Sequence, residues 1–254
     1  MITIQGKGVS TGIGMGPLYF YRRAKTEITR YTVADVQAEW QRFKDAQATA
    51  IDQLGELAEK AREEAGDEAA MLFETHQMMA EDLDYEEAVQ ALITEDGMNA
   101  EAAVSDTAEQ FAAMFEAMDD EYMKGRAADV KDVSSRILGI LCGVVQGGID
   151  SDVPVLLASD DLAPSETIQL DKSKILGFIT SYGSSSSHTA ILARTLVFLL
   201  LLVWEISWIL SMKAARSSLT AAPVLSLSSP PMMFLQTSLQ SVRSSCVSVP
   251  CWKP

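Results

Sequence analysis

The chain has 254 residues, with 20 Lys and Arg against 35 Asp and Glu, and a formal net charge of −15. This acidic balance argues against nucleic-acid binding, which needs a basic face, and favours a basic protein partner. Three cysteines (Cys142, Cys246 and Cys251) show no pairing or metal-ligand spacing, and the amino terminus lacks the pattern of a signal peptide. We therefore expect a reducing, cytoplasmic location.

The first 30 residues read as a glycine-rich strand segment, in which Gly16-Pro17 makes a turn before the apolar residues 18–21. Glycines at this density are typical of tight turns. Their spacing does not match a phosphate-binding loop.

A long helix is predicted next, because residues 32–35 (Thr-Val-Ala-Asp) have the pattern of a capping box. Apolar residues then recur at three- and four-residue steps: Val36, Trp40, Phe43, Ala50, Leu54 and Leu57. Such a face is typical of a bundle core rather than of a cofactor-binding segment.

A break at Gly66-Asp67 precedes a second helix, which has one face made of Leu72, His76, Met79 and Leu83. His76 has two interpretations here. It is a packed core histidine, or it belongs to a face left exposed for a partner, where methionine supplies adaptable contacts.

Asp96-Gly97 predicts a turn, after which Asn99 can cap a third helix. Residues 122–141 continue as a fourth. Residues 31–143 are therefore expected to form an all-helical block of about four helices with a solvated acidic surface.

After Gly147-Gly148, short apolar strands alternate with helices. Residues 153–158 and 174–180 read as buried strands, and Pro164 opens a short helix between them. This alternation predicts an α/β unit. By its position alone, Thr167 is a residue of the first helical turn.

The most informative stretch follows the second strand. Residues 181–187 are small and mostly hydroxylic, and His188 then precedes an apolar, helix-forming run. Backbone amides in such a loop, together with a helix N-terminus, can hold an anion, and a histidine there can carry a phosphoryl group covalently. The alternative is a loop or capping histidine beside a flexible serine run.

The pattern Gly183-x-x-x-Ser187-His188-Thr189-x-Ile191-x-Ala193-Arg194 resembles the phosphohistidine signature of Enzyme I of the phosphoenolpyruvate-dependent sugar phosphotransferase system. Pyruvate phosphate dikinase and phosphoenolpyruvate synthase share a related form. Four further stretches resemble Enzyme I in the family's order: residues 8–16, 73–82, 119–130 and 163–180. One departure is that many members have Gly-Gly-Arg/Lys-Thr before Ser-His, whereas this chain has serines after its single glycine.

The resemblance implies a phosphohistidine (swivelling) α/β domain made of residues 1–30 and 144–195, with residues 31–143 as an inserted all-helical subdomain that binds HPr, a small histidine phosphocarrier. It implies phosphoryl transfer from phosphoenolpyruvate through His188 to the histidine of HPr. Thr167 would orient the His188 ring, and Arg194 would add charge.

Further site residues are carried over by the same resemblance. The phosphate loop would consist of Gly183, Ser185, Ser186, Ser187 and Thr189. The HPr-docking residues would be Asp67, Glu68, Leu72, His76, Met79, Asp82, Phe115 and Arg126. No cofactor is expected in this chain, since the family binds phosphoenolpyruvate and Mg²⁺ in a carboxyl-terminal barrel.

Residues 196–254 differ abruptly in composition, with no Gly, Asp, Asn, Tyr or His but twelve Ser. Their apolar run at 196–204 is too short for a membrane span of about 20 residues. We hypothesise a shifted reading frame, because reading residues 197–208 one base earlier allows a Gly- and Pro-containing sequence like that after the histidine motif in Enzyme I. Residues 196–254 would then be a non-native or disordered tail.

On this interpretation the chain is a truncated, monomeric amino-terminal half that cannot use phosphoenolpyruvate itself. One alternative is an inactive module that docks HPr without chemistry. Another is the phosphohistidine domain of a dikinase-like enzyme, which the helical block disfavours.

Overall fold

The computed structural model describes residues 2–10, 13–21, 28–144, 151–171, 173–180, 188–196, 200–202, 224–228 and 232–237. The helices are α1 (Val36–Ala65), α2 (Asp67–Ala80), α3 (Leu83–Thr94), α4 (Ala100–Glu116), α5 (Glu121–Leu141), α6 (Pro164–Gln169) and α7 (His188–Thr195). The strands are β1 (Ile2–Gly8), β2 (Ile13–Met15), β3 (Leu18–Phe20), β4 (Val155–Ser159), β5 (Ile175–Thr180), β6 (Leu200–Leu202), β7 (Val224–Ser228) and β8 (Met232–Thr237).

Helix α1 is the long helix that the apolar pattern predicts, but its start differs. Asp35 is the N-cap, and its Oδ1 accepts a 3.0 Å hydrogen bond from the amide of Ala38. Thr32 instead forms an isolated β-bridge with Met98. The prediction of a capping box at residues 32–35 was therefore wrong, because the bridge holds Thr32 outside the helix.

The predicted second helix is two helices. Gly66, at a φ of +88°, separates α1 from α2 as expected. Asp82 then adopts an extended conformation and its Oδ1 accepts a 3.1 Å hydrogen bond from the amide of Tyr85, which starts α3. Leu83 consequently lies at the start of α3 and is 71% exposed. Residues 31–143, all of which the structure describes, thus contain five helices instead of about four.

Asn99 occupies the N-cap position of α4, as predicted, but its side chain makes no capping hydrogen bond. Its Oδ1 accepts a hydrogen bond from the Tyr31 amide, and its Nδ2 donates one to the Thr29 carbonyl, both at 3.1 Å. This buried amide therefore anchors the segment that enters the helical block.

The core of the block follows the predicted stripe on α1, where Phe43, Ala50, Leu54 and Leu57 are buried. Val36 and Trp40 pack against that core from the edge. Burial of each large apolar side chain contributes about 1.5–3 kcal/mol, as an upper estimate, so this stripe is a major source of the block's stability.

The described strands form one mixed sheet in the order β2-β7-β8-β1-β6-β5-β4-β3. Strands β3, β4, β5 and β6 are parallel neighbours, and every residue of β4 is buried. These parallel strands, with α6 and α7 between them in the chain, confirm the α/β prediction.

Three of the strands lie within residues 196–254. Strand β6 pairs parallel with β5 and antiparallel with β1, and β8 pairs antiparallel with both β1 and β7. Backbone hydrogen bonds in a sheet do not depend on the identity of the side chains. The shifted-frame hypothesis for this region therefore stays a prediction, which sequencing of the gene tests.

Candidate functional site

The two histidines of the chain lie in different parts of the fold. His188 is the first residue of α7, the helix that follows β5 in the chain. His76 lies in the middle of α2. The candidate chemical site is therefore built on the sheet, and the second histidine belongs to the helical block.

Part of the predicted phosphate loop lies outside the described residues: Gly183, Ser185, Ser186 and Ser187. His188, Thr189 and Arg194 belong to α7, but their side chains also lie outside the described part. Their chemical roles stay predictions.

Helix α7 is fixed by small and apolar side chains, since Ala190, Leu192 and Ala193 are buried. It also packs against α6. The first amides of a helix have no intrahelical acceptor and carry positive partial charge. His188 is therefore the first residue of a helix whose position is fixed by packing. The positive partial charge at the N-terminus of this helix is fixed as well, and such a charge can bind a phosphate group.

Thr167 lies in α6 with its side chain fully buried. Its Oγ1 donates a 2.9 Å hydrogen bond to the carbonyl of Ala163, so its one hydroxyl hydrogen is already used. The oxygen can still accept a hydrogen bond from a ring N–H. If Thr167 orients His188, it does so as an acceptor.

Glu166 fixes the beginning of α6. Its Oε2 accepts a 2.7 Å hydrogen bond from the Ala163 amide, and its Oε1 accepts one of 3.1 Å from the hydroxyl of Tyr21. One carboxylate thus holds the first turn of α6 to the chain segment after β3. The helix that carries Thr167 is anchored at its start by a long-range contact.

The His76 ring is buried completely between two carboxylates of α5. Its Nε2 lies 3.3 Å from Oδ1 of Asp129, and its Nδ1 lies 3.7 Å from Oδ2 of Asp132. The other oxygen of Asp132 accepts a 2.7 Å hydrogen bond from the hydroxyl of Ser165, in α6. The buried position favours the core interpretation of His76, since the ring has no surface with which to contact a partner directly.

The other predicted docking residues differ in exposure. Asp67, Glu68 and Asp82 are exposed, and the remaining ones are half-buried: Leu72, Met79, Phe115 and Arg126. Asp82 is also the N-cap of α3. The acidic residues are therefore available to a partner, whereas the apolar ones contribute mainly to packing.

The exposed apolar residues of the block were not among the predicted docking residues. Met71 and Met78 are 62% and 71% exposed, and they share one face of α2 with the exposed Asp67 and Glu74. We call these four residues the α2 stripe. Their spacing of four, three and four residues was visible in the sequence, but hydrophobic periodicity alone assigns methionine to a core.

Arg126 of α5 is held by its own helix. Its guanidinium lies over the Tyr122 ring, 5.0 Å from the centroid, and donates a hydrogen bond to the Tyr122 hydroxyl. Its Nη1 lies 3.4 Å from Oδ2 of Asp129, the carboxylate that also faces His76. Arg126 thus contacts both the exposed Tyr122 and Asp129, which lies beside the buried ring of His76.

Across the residues that the structure describes, no group of three or more His, Cys, Asp and Glu is arranged to hold a metal ion. The helices in the same described ranges include none long and apolar enough to cross a membrane.

Two protein-family models match the chain. The family described as "PEP-utilising enzyme, N-terminal" matches residues 5–126, and "PEP-utilising enzyme, mobile domain" matches residues 152–198. The second match contains β4, α6, β5 and α7, and therefore His188 and Thr167.

The chain is also similar to curated proteins named phosphoenolpyruvate-protein phosphotransferase. It is 34% identical over 220 residues to that of Bacillus subtilis (strain 168) and 39% identical over 196 residues to that of Geobacillus stearothermophilus. These alignments cover 86% and 76% of this chain but 37% and 34% of the relatives. The chain spans about a third of the length of the curated relatives it matches.

Among solved structures, the chain resembles an NMR solution structure of Enzyme I, with a TM-score of 0.68 and 31% sequence identity, over 87% of this chain and 88% of that one. It also resembles the N-terminal domain of Enzyme 1 - Nitrogen, with a TM-score of 0.58 and 19% identity, over 87% and 89% of the two chains. The second likeness concerns the fold alone.

Proposed function

Because this chain belongs to the Enzyme I family of phosphoenolpyruvate-protein phosphotransferases, we propose that it carries a phosphoryl group on His188 and transfers it to a histidine of HPr. The observation that carries the proposal is the position of His188. It opens α7 after the parallel strand β5, and α7 packs against the helix that contains Thr167.

The proposed chemistry consists of two displacements at phosphorus. A neutral ring nitrogen of His188 attacks the phosphorus of phosphoenolpyruvate, the bond to the enol oxygen breaks, and that oxygen leaves with its electron pair as the enolate of pyruvate. A ring nitrogen of the HPr histidine then attacks the same phosphorus. The N–P bond to His188 breaks, which returns the neutral imidazole.

Thr167 has a defined part in this scheme. Since its hydroxyl hydrogen is donated to the Ala163 carbonyl, its oxygen accepts the ring N–H of His188. The second ring nitrogen then bears the lone pair that attacks phosphorus. Backbone amides at the start of α7, the hydroxyls of Ser185, Ser186, Ser187 and Thr189, and the charge of Arg194 would hold the phosphoryl oxygens.

Docking of HPr belongs to the helical block in this proposal. The α2 stripe presents two methionines that alternate with two carboxylates, on a chain with a net charge of −15. An exposed apolar patch with an acidic border suits a partner with an apolar patch and a basic border. Asp82 and Leu83 add a further exposed carboxylate and a further exposed apolar side chain at the start of α3.

Phosphoenolpyruvate and Mg²⁺ would bind in the part of the relatives that this sequence does not cover. We therefore propose that the residues of this sequence supply the exchange of a phosphoryl group between His188 and HPr, in the cytoplasm. A module that docks HPr without chemistry is the second candidate, because the α2 stripe lies on the block and does not require the sheet.

Transfer of label from ³²P-phospho-HPr to the purified chain tests this proposal. The sequence offers a matched control, since it contains only two histidines. The wild-type chain and His76→Gln should both acquire acid-labile, base-stable label, whereas His188→Ala should acquire none.

The other outcomes are equally informative. Label on His188→Ala would overturn the assignment of the acceptor. A chain that acquires no label but still retains HPr on an affinity column would contradict phosphotransfer and support the docking module. Circular dichroism of each variant shows whether its helical block is folded.

A further inference from the structure

Ala163 is the N-cap residue of α6, and its side chain offers no acceptor to the amides of the first helical turn. Its backbone is held by two residues of the helix instead. The amide of Ala163 donates a 2.7 Å hydrogen bond to Oε2 of Glu166, the third helical residue. The carbonyl of Ala163 accepts the amide of Thr167 at 3.0 Å and its Oγ1 at 2.9 Å. Glu166 and Thr167 therefore share one residue as their anchor.

The carbonyl of Ala163 determines where the single hydroxyl hydrogen of Thr167 points. While this carbonyl is in place, it receives the hydrogen, and the buried oxygen of Thr167 is left as an acceptor. Without the carbonyl, the hydroxyl would turn towards another acceptor, because a buried donor without a partner is unfavourable. The Ala163 carbonyl thus decides whether Thr167 accepts a hydrogen bond from a facing ring or donates one to it.

Glu166 keeps this carbonyl in place. The N–H and C=O of Ala163 belong to adjacent peptide groups, and its extended backbone, with φ −73° and ψ 155°, sets their relative direction. Pro164, the first helical residue, has no N–H to contribute. The carboxylate of Glu166 on the Ala163 amide is therefore the half of a capping box that fixes the cap. Loss of this carboxylate would let the first turn of α6 fray and move the carbonyl away from Thr167.

Tyr21 holds the Glu166 carboxylate to the sheet. Its hydroxyl donates a 3.1 Å hydrogen bond to Oε1 of Glu166, and its amide donates one of 2.8 Å to the carbonyl of Ala158 in β4. Glu166 thus uses one oxygen for the cap of α6 and the other for a residue bound to the sheet. Its side chain is fixed at both oxygens, and the start of α6 is fixed relative to β4.

We propose that Glu166 is a positioning residue that selects the tautomer of the His188 ring. Its carboxylate, held by Tyr21, keeps the Ala163 carbonyl on the Thr167 hydroxyl. The Thr167 oxygen then accepts the ring N–H of His188, and the opposite ring nitrogen bears the lone pair that attacks phosphorus. This inference rests on the proposed function, because it requires His188 to face Thr167.

Loss of the Glu166 side chain has a specific chemical consequence. A Thr167 hydroxyl released from Ala163 donates its hydrogen to the facing nitrogen of the His188 ring, so the lone pair of the ring lies on that side. The ring hydrogen is then on the nitrogen that should attack. A neutral ring nitrogen that bears hydrogen has no free lone pair with which to form the N–P bond. Transfer should therefore slow because the wrong tautomer is populated, while HPr binding is unchanged.

Nitrogen-15 NMR of the full chain, labelled at histidine, measures the tautomer at a pH where the ring is neutral. The chain has two histidines, and the spectrum of His188→Ala identifies which signals belong to His188. We expect one tautomer in the wild type and a shift towards the other in Glu166→Ala. Glu166→Gln should restore the wild-type pattern, because its amide oxygen can accept the Ala163 N–H and its NH₂ group can donate to Tyr21.

The rate of ³²P transfer from phospho-HPr measures the consequence for chemistry. Glu166→Ala should slow transfer about tenfold or more without changing the Kd for HPr, and Glu166→Gln should restore the rate. Tyr21→Phe removes one of the two contacts of Glu166 and should have a smaller effect in the same direction. Tyr85→Phe is its matched control, since it removes a tyrosine hydroxyl that is hydrogen-bonded to Ser134 inside the helical block.

A mixture of tautomers in the wild type, or an unchanged tautomer in Glu166→Ala, would overturn the proposal. Glu166→Gln spectra that match those of Glu166→Ala would also overturn it, because the charge and not the two contacts would then matter. Circular dichroism shows whether Glu166→Ala is folded. If it is not, an unchanged tautomer in Tyr21→Phe would contradict the proposal in its place.

Failure of the proposed function gives a different result. The tautomer is measured in the unphosphorylated chain, so a wild type that acquires no label contradicts phosphotransfer and leaves the NMR result standing. A labelled wild type whose tautomer and transfer rate do not respond to Glu166→Ala contradicts the positioning role alone.

Discussion

The hydroxyl of Ser165 donates a hydrogen bond to Oδ1 of Asp132 at 2.7 Å, and this contact joins the helical block to the sheet domain. The same carboxylate faces His76, whose ring also faces Asp129. Polar side chains therefore lie side by side from His76 of α2, the helix with the α2 stripe, through Asp132 of α5 to Ser165 of α6, the helix that contains Thr167.

Replacement of this hydroxyl should affect both stability and transfer. Ser165→Ala removes a buried hydrogen bond to a carboxylate, and we expect the free energy of unfolding in urea to fall by about 1.5 kcal/mol. If α6 positions His188, the rate of label transfer from phospho-HPr should fall as well, with HPr affinity unchanged.

Ser173→Ala is the matched control. The Ser173 hydroxyl also donates to an aspartate, Asp171, but both residues are exposed and the contact is local. Equal effects of the two substitutions would show that the contact between α5 and α6 has no special role.

His76→Ala distinguishes the two interpretations of this histidine. The ring is fully buried between two carboxyl groups, so its removal should lower the free energy of unfolding by about 2–4 kcal/mol if its role is structural, through the cavity and the polar groups left without a neighbour. Chemical denaturation measures this loss. Unchanged stability combined with weaker HPr binding would show instead that the ring reaches the partner.

The α2 stripe should contribute to binding and not to folding. Met71 and Met78 are mostly exposed, so the double substitution Met71→Ser/Met78→Ser should leave the melting temperature unchanged. It should weaken HPr binding about tenfold or more, as expected for apolar anchors at an interface. Fluorescence anisotropy with labelled HPr measures the Kd. Val153→Ser, which changes an exposed apolar residue outside the block, should have no effect.

Tyr85 should make the block sensitive to alkaline pH. Burial raises the pKa of its phenol to about 12, against a hydrogen bond with Ser134 that lowers it. The neutral form is favoured in the folded state, so this contribution to stability is fully present below pH 10 and is lost as pH rises from 10 towards about 12.

Unfolding free energies across this pH range check that prediction. Tyr85→Phe has no phenol to ionise, so its free energy of unfolding should fall less with rising alkaline pH than that of the wild type. The substitution also removes the hydrogen bond with Ser134 at every pH. An alkaline loss as steep in Tyr85→Phe as in the wild type would assign the effect to other groups.

Local patterns were sufficient for much of the helical block. Apolar residues at helical spacing predict the buried face from Phe43 to Leu57, and a glycine, with its unusual backbone freedom, predicts the break at Gly66. Both features are present in the structure. The division at Asp82 was missed because the apolar period continues through Leu83. The side chain of Asp82 caps the start of α3, and hydrophobic periodicity does not detect such a cap.

The environment of His76 could not be predicted from local sequence patterns. Its neighbours Asp129 and Asp132 are more than 50 positions away in the chain, and only the packing of α2 against α5 brings them together. Exposure of Met78 depends likewise on which face of α2 that packing covers. The sequence indicates which residues are candidates for a functional surface, but tertiary contacts determine which of them lie in the core and which on the surface.

The position of β1 in the sheet has a consequence for biosynthesis. Its neighbours are β6 and β8, so β1 meets its partners only after about two hundred further residues have been translated. Among the described elements, the helices of the block pack mainly against one another. They can therefore fold during that interval, since local contacts form early. The nascent chain should therefore expose a finished helical domain while its phosphohistidine domain still awaits completion.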